Sequence, residues 1–311
     1  MIGRFHIATK NINLLSSLQD SVTCINKVHL SKLLNLHENN VINPSDYRNL
    51  IYYLSQAPDK LRLNEVNTLV KGMLYTKYKP DSYFFDKIMS NLGRNYQENP
   101  LLSVDTFYYL LLLNHEDVSP DECVEFLDNF RISADLYVQL KLLNVFYAIQ
   151  FYHSHIQESY TPEIENFVKY LRLISPKLKL KCGIKEESKE IKQVKSTMDS
   201  LNLEYFSAIT GHIYSPIILK NTNMAIEMRY ERDKYLESED SLPTIQLKQL
   251  IMRDLGWRVR FIPFERWKHN STDFERRKYL SKFVSEFYVE TQFTENPPWV
   301  INIKTTSHIK K

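Results

Sequence analysis

The sequence predicts an α+β protein in two parts, an N-terminal α-helical repeat (α-solenoid) domain followed by a small α/β domain. Three observations carry that expectation. Glycine is scarce, 6 in 311 residues, which disfavours the turn-rich sandwiches and barrels. Proline recurs beside helix-start residues at Pro44, Pro80, Pro120 and Pro162, at intervals of 36, 40 and 42 residues, a rhythm that suits one helical hairpin per interval. Past Asn202 the apolar spacing changes from helical to strand-like runs.

Taken in order, residues 1–19 carry Arg4 and Lys10, are rich in Ser, Thr and Asn, and precede the first acid, Asp20. That is the composition of a mitochondrial targeting helix, and equally of an ordinary first helix with few acids. Residues 20–175 read as paired helices. Ser119-Pro120-Asp121-Glu122 and Thr161-Pro162-Glu163 place a capping hydroxyl before a proline whose missing N–H costs nothing in the first turn. Asn43-Pro44-Ser45-Asp46 and Lys79-Pro80-Asp81 fit more loosely. Apolar residues follow at helical spacing, as in Phe84, Phe85, Ile88 and Met89. A plain helical bundle with fortuitous prolines fits the same pattern.

Residues 176–200, with Pro176, Gly183 and a Lys/Glu-rich run, read as a charged, solvated linker. Residues 201–290 then read as the α/β domain. Tyr205 to Ile209, Ile213 to Leu219 and Met224 to Met228 are strand-like, and Ile245 to Asp254 is helical. Gly256 stands where a helix end favours glycine. Trp257 to Pro263 alternates apolar and basic as a half-buried strand does, and Phe274 to Tyr288 is a second amphipathic helix. Residues 291–311 are left as a C-terminal tail.

Composition excludes several classes. Apolar residues at 43% and charged residues at 25% are ordinary for a globular chain. Cys24, Cys123 and Cys182 lie too far apart for metal-ligand spacing or a disulfide framework. The nine histidines suggest no metal cluster, since His153 and His155 diverge on a helix. No Gly-rich phosphate loop or nucleophile elbow is present, so no cofactor is expected. No apolar run is long enough to span a membrane. The net charge of +3 is unevenly spread: residues 97–140 hold nine acids against Arg131, whereas residues 246–282 hold ten Lys/Arg against four acids. A polyanion would therefore meet the C-terminal half, and the acidic helices would meet protein.

The segment Leu250-Ile251-Met252-Arg253-Asp254-Leu255-Gly256-Trp257-Arg258-Val259-Arg260-Phe261-Ile262-Pro263-Phe264-Glu265-Arg266-Trp267 resembles the most characteristic part of the RAP domain. That pattern runs helix, Leu-Gly-Trp turn, apolar strand, Ile-Pro, an aromatic and a following tryptophan. Ala225-Ile226-Glu227 is similar to the family's Ile-Glu strand, and Lys278-Tyr279-Leu280 to its closing helix. The resemblance covers about Tyr205 to Phe287. It implies a restriction-endonuclease-like fold at the end of a chain of helical repeats, as in the organellar RNA-binding proteins numerous in apicomplexan parasites. The expectation is a mitochondrial matrix protein bound to ribosomal RNA, either as a mitoribosome component or as a stability or assembly factor. Ribosomal or other organellar proteins would dock on its acidic helices.

Nucleases of that fold hold a divalent metal with an Asp on one strand and a Glu-x-Lys on the next. Here Glu227-Met228-Arg229 puts arginine in the lysine place, and Ser215 stands where the aspartate is wanted. The Gly-Pro and His that follow the glutamate in the family are missing, although Glu231 and Asp233 lie just beyond. The position is therefore expected to be degenerate, and the protein not an enzyme. Arg258, Arg260, Arg266, Lys268, Arg276, Arg277 and Lys278 are the candidate RNA-binding residues, as one basic surface for phosphates. A merely solvated face, partly neutralised by Glu265, Asp273 and Glu275, is the plainer reading. Gly256, Trp257, Pro263 and Trp267 form the structural motif, with both tryptophans expected in the core rather than stacked on bases. Two other functions fit the sequence: a RAP-type RNA endonuclease, and a protein-only scaffold subunit of a mitochondrial complex.

Overall fold

The computed structural model describes residues 44–303 apart from 56–60, 96–97, 114–117, 132, 134, 185, 236–237 and 289–299. The expected targeting segment, residues 1–19, lies outside the described residues. The chain divides into two compact units, residues 1–126 with 234–242, and residues 127–233 with 243–311.

The first unit contains helices α1 (Pro44–Ser55), α2 (Leu63–Thr76), α3 (Ser82–Asn95) and α4 (Pro100–Leu112), and the start of α5 (Pro120–Arg131). Pro44, Pro100 and Pro120 each open a helix, where a missing N–H removes no hydrogen bond. Neighbours in sequence pack together, α1 on α2, α2 on α3 and α3 on α4, while α2 also meets α4. Their core is apolar, with Leu69, Val70, Met73, Phe84, Phe85, Ile88, Val104 and Phe107 fully buried. At its centre Asn67 donates from Nδ2 to Thr106 Oγ1 at 3.0 Å, so this buried amide is satisfied.

The second unit is built on a five-stranded sheet of order β4-β3-β2-β1-β5. Its strands are β1 (Tyr205–Thr210), β2 (Ile213–Leu219), β3 (Met224–Arg229), β4 (Arg258–Pro263) and β5 (Val300–Ile303). Among these strands only β3 and β4 run parallel, joined through helix α9 (Pro243–Asp254), a crossover that parallel neighbours require. β1 and β2 form a hairpin in which Gly211 takes φ +57°, the positive angle such tight turns demand.

On one sheet face, Ile217, Leu219, Met224, Ile226, Met228 and Ile262 pack with Ile191, Val194 and Met198 of α8 (Lys189–Ser200) and with Leu280 and Val284 of α11 (Asp273–Tyr288). Trp267 of the short helix α10 (Phe264–His269) joins them. Helix α7 (Pro162–Lys181) packs on β1 and β2, and α6 (Leu136–Tyr152) packs on α7 and α9.

Three boundaries differ from expectation. Residues 176–200 are not a solvated linker: α7 continues through a buried Pro176 to Lys181, and α8 fills most of the remainder. The lysines dominate the composition there, but Ile191, Val194 and Met198 recur at three and four residues and form a buried stripe. The helical region does not end as a separate body at residue 175, because α7 covers β1 and β2 and α6 packs on α7 and α9. The tail contains β5, whose Ile303 to Val300 pair antiparallel with Ser207 to Thr210.

Candidate nucleic-acid interface

β4 is the outermost strand, so its side chains meet a neighbour on one flank only. In its parallel register Arg258 lies beside Met224, Arg260 beside Ile226 and Ile262 beside Met228. Those three β3 residues belong to the core under α8 and α11, and residues paired in this way share a face. Ile262 follows them inward, whereas Arg258 and Arg260 sit on the same side and are exposed. The basic positions thus lie at the rim of the face that carries α11.

Gly256 shapes the entry to β4. At φ +86° it closes α9: its N–H donates to Arg253 O at 2.9 Å, and the Trp257 N–H donates to Met252 O at 2.8 Å. This is the Schellman arrangement of a helix end. Trp257 and Trp267 are 3% and 1% exposed, so both belong to the core, as expected, and neither offers a ring face to a base. Pro263 ends the strand and stands at the N-cap position of α10 with extended backbone.

Beyond that proline the cations continue. Arg266 and Lys268 are exposed on α10, as are Arg277 and Lys278 on α11. Lys268 Nζ lies 5.9 Å over the Phe264 ring, and Arg266 meets the Tyr279 hydroxyl. Arg276 departs from the expectation of an outward phosphate contact. Its Nε donates to Asn270 O at 3.0 Å, its guanidinium lies 5.9 Å from the Trp267 ring, and its side chain is only 21% exposed. It ties α11 to α10.

Of the nearby carboxylates, Glu265 is exposed on α10, whereas Asp273 and Glu275 have partners within the protein. Asp273 leans to Arg276 at 3.8 Å. Glu275 accepts the Thr272 N–H at 3.0 Å and its hydroxyl at 2.9 Å, and these bonds hold its pKa below the usual carboxylate value.

The nuclease-like position is configured differently. Glu227 is 7% exposed on β3 and forms an ion pair through Oε2 with Lys248 of α9, while its Oε1 is buried without a hydrogen-bond partner. Asp233 accepts the Tyr230 N–H at 2.8 Å. Burial raises its pKa, and that hydrogen bond and the nearby Arg232, Lys248 and Arg229 offset the rise only in part. Ser215 is fully buried. Among the described residues no three His, Cys, Asp or Glu side chains are grouped to hold a metal. The Lys248 ammonium thus stands beside Glu227, whereas the strand itself offers Arg229. Sequence reasoning missed Lys248, although it adjoins the apolar Leu247 and Ile251 on α9 and so flanks the buried stripe.

A second polar cluster also escaped it, because the cluster begins in the supposed linker. Lys195, 8% exposed, reaches Glu187 at 2.5 Å and Ser207 Oγ at 3.0 Å. The Tyr214 hydroxyl donates to the same Glu187 oxygen at 2.5 Å. Burial and that carboxylate push the Tyr214 pKa up to about 12. This cluster is closed, with each charge answered, and it joins α8 to the sheet.

Compared with known proteins, the chain matches no family model and no curated sequence.

Proposed function

We propose that this chain is a non-catalytic RNA-binding protein of the mitochondrial matrix. It acts on ribosomal RNA, as a component of the mitochondrial ribosome or as an rRNA stability or assembly factor. In this reading residues 205–287 are a RAP-type module of restriction-endonuclease-like fold, and the helices of the first unit are solenoid repeats. The observation that carries it is the set of exposed cations on α10 and α11, Arg266, Lys268, Arg277 and Lys278, which follow the exposed Arg258 and Arg260 of β4. Each exposed cation that meets a phosphate adds to the affinity and to its salt dependence. Exposed Asp121, Glu122, Glu125 and Asp128 on α5 favour a protein neighbour for the helices instead of RNA.

Binding of the purified chain to mitochondrial ribosomal RNA, followed as salt is raised, tests the reading. Reversal of Lys268, Arg277 and Lys278 to Glu is expected to weaken binding and to lower the salt slope by about one unit for each phosphate-binding cation reversed. An unchanged slope, with full association with organellar proteins, would replace this function with that of a protein-only scaffold. Ser215, standing where a nuclease of this fold would carry its aspartate, supports a binding role over a cleaving one. Magnesium-dependent RNA cleavage that disappears in Glu227→Ala would reverse that and make the protein a RAP-type endonuclease.

A further inference from the structure

With Trp257 and Trp267 both buried, the most exposed aromatic ring among the described residues is Phe274, at 75%. It stands in the first turn of α11, which is held by a reciprocal cap. Thr272 Oγ1 accepts the Glu275 N–H at 3.2 Å, and the Glu275 carboxylate accepts the Thr272 N–H at 3.0 Å. The ring is thereby carried on fixed backbone. Arg277 and Lys278, three and four residues along the helix, share its face, and both are exposed. Side chains on a helix tilt toward its N-terminus, so these two cations lean toward the ring.

Against the two carboxylates that flank Phe274 in sequence, Arg276, Arg277 and Lys278 leave one cation in excess. Asp273 is turned to Arg276 at 3.8 Å, and Glu275 is held in the cap. An exposed ring with two cations beside it matches one chemistry closely: a flat base lies on the ring while the phosphates on either side meet the cations. A duplex hides the faces of its bases within the stack, so only an unpaired strand supplies what the ring takes.

We propose that Phe274, Arg277 and Lys278 form a base-stacking site for single-stranded RNA. The proposal rests on the RNA-binding reading above and narrows its ligand to unpaired segments. It assigns the ring a role that Trp257 and Trp267, closed into the core, cannot fill.

The test compares the full chain with Phe274→Ala, Phe274→Tyr and Arg277→Glu/Lys278→Glu. The probes are a labelled oligoadenylate, the same strand with its bases removed, and an RNA duplex of equal length. The wild type is expected to prefer the oligoadenylate, and Phe274→Ala to lose about tenfold in affinity for it. Phe274→Tyr should retain that affinity, and the abasic strand should not distinguish wild type from Phe274→Ala. Unfolding midpoints measured alongside should match, because the ring is exposed. If Phe274→Ala binds oligoadenylate as the wild type does while the Arg277→Glu/Lys278→Glu variant is weakened, RNA binding stands and the stacking site is overturned. If the wild type binds none of the probes at low salt, the RNA-binding reading itself fails and takes the site with it.

Discussion

Lys195 places an ammonium in the interior, 8% exposed, where it is tolerated only because Glu187 lies 2.5 Å away and Ser207 adds a hydroxyl at 3.0 Å. Replacing it with methionine keeps the volume and strands the carboxylate. Lys195→Met is therefore expected to lose about 2–4 kcal/mol of stability, read from a urea unfolding midpoint, and pairing it with Glu187→Gln should restore part of the loss. His212 makes the opposite demand. Its ring stacks on Tyr147 at 5.6 Å and its Nε2 meets Asn144 Oδ1 at 2.8 Å. Burial, with help from Lys179, lowers its pKa from 6.5 to about 4. In that interval the unfolded chain binds a proton that the folded one refuses, so stability should fall as pH drops from about 6.5 to 4 and level off below. Melting curves across that range check it: His212→Phe, which keeps a ring against Tyr147, should flatten the slope. Neither residue was legible beforehand, because a charge run and a turn histidine reveal their burial only once partners distant in sequence are brought to them. The exposed arginines of β4 were legible, because alternation along a strand is a local property.

At the scale of elements the most exposed dependence is on the end of α9. Gly256 holds φ +86°, and a Cβ built there meets nothing within 4 Å. The penalty for alanine is thus conformational and not steric: Gly256→Ala should lose about 1 kcal/mol, and asparagine, which tolerates this region better, should lose less. Chemical denaturation of the two variants would separate them. The strands and helices of the second unit were readable from periodicity because each exposes one face and buries the other. Two elements were not. α8 carries so many lysines that its stripe of Ile191, Val194 and Met198 is diluted in composition. β5 is four residues long, too short for alternation to register, and it exists as a strand through its partner β1.

Across the whole molecule, charge is sorted by region, with acids exposed on α5 and cations on β4, α10 and α11. The consequence expected of the proposed function is that added salt weakens RNA association strongly while leaving any association through apolar surface in place. Titrating salt against each class of partner is the check. The division into units was not legible, because the sequence suggested one boundary where helices give way to strands. A sheet with two apolar faces needs helices from both sides, and α6, α7 and α8 are drawn from upstream to serve it. The two margins of that sheet are finished in different ways. One ends in β4, where Arg258 and Arg260 discourage the addition of a foreign strand. The other, β1, is sealed by β5, drawn from about ninety residues downstream. During synthesis the β1 margin therefore stays open until Ile303 has left the ribosome, and a chain cut short of Val300 should seed strand-to-strand aggregation that light scattering would register.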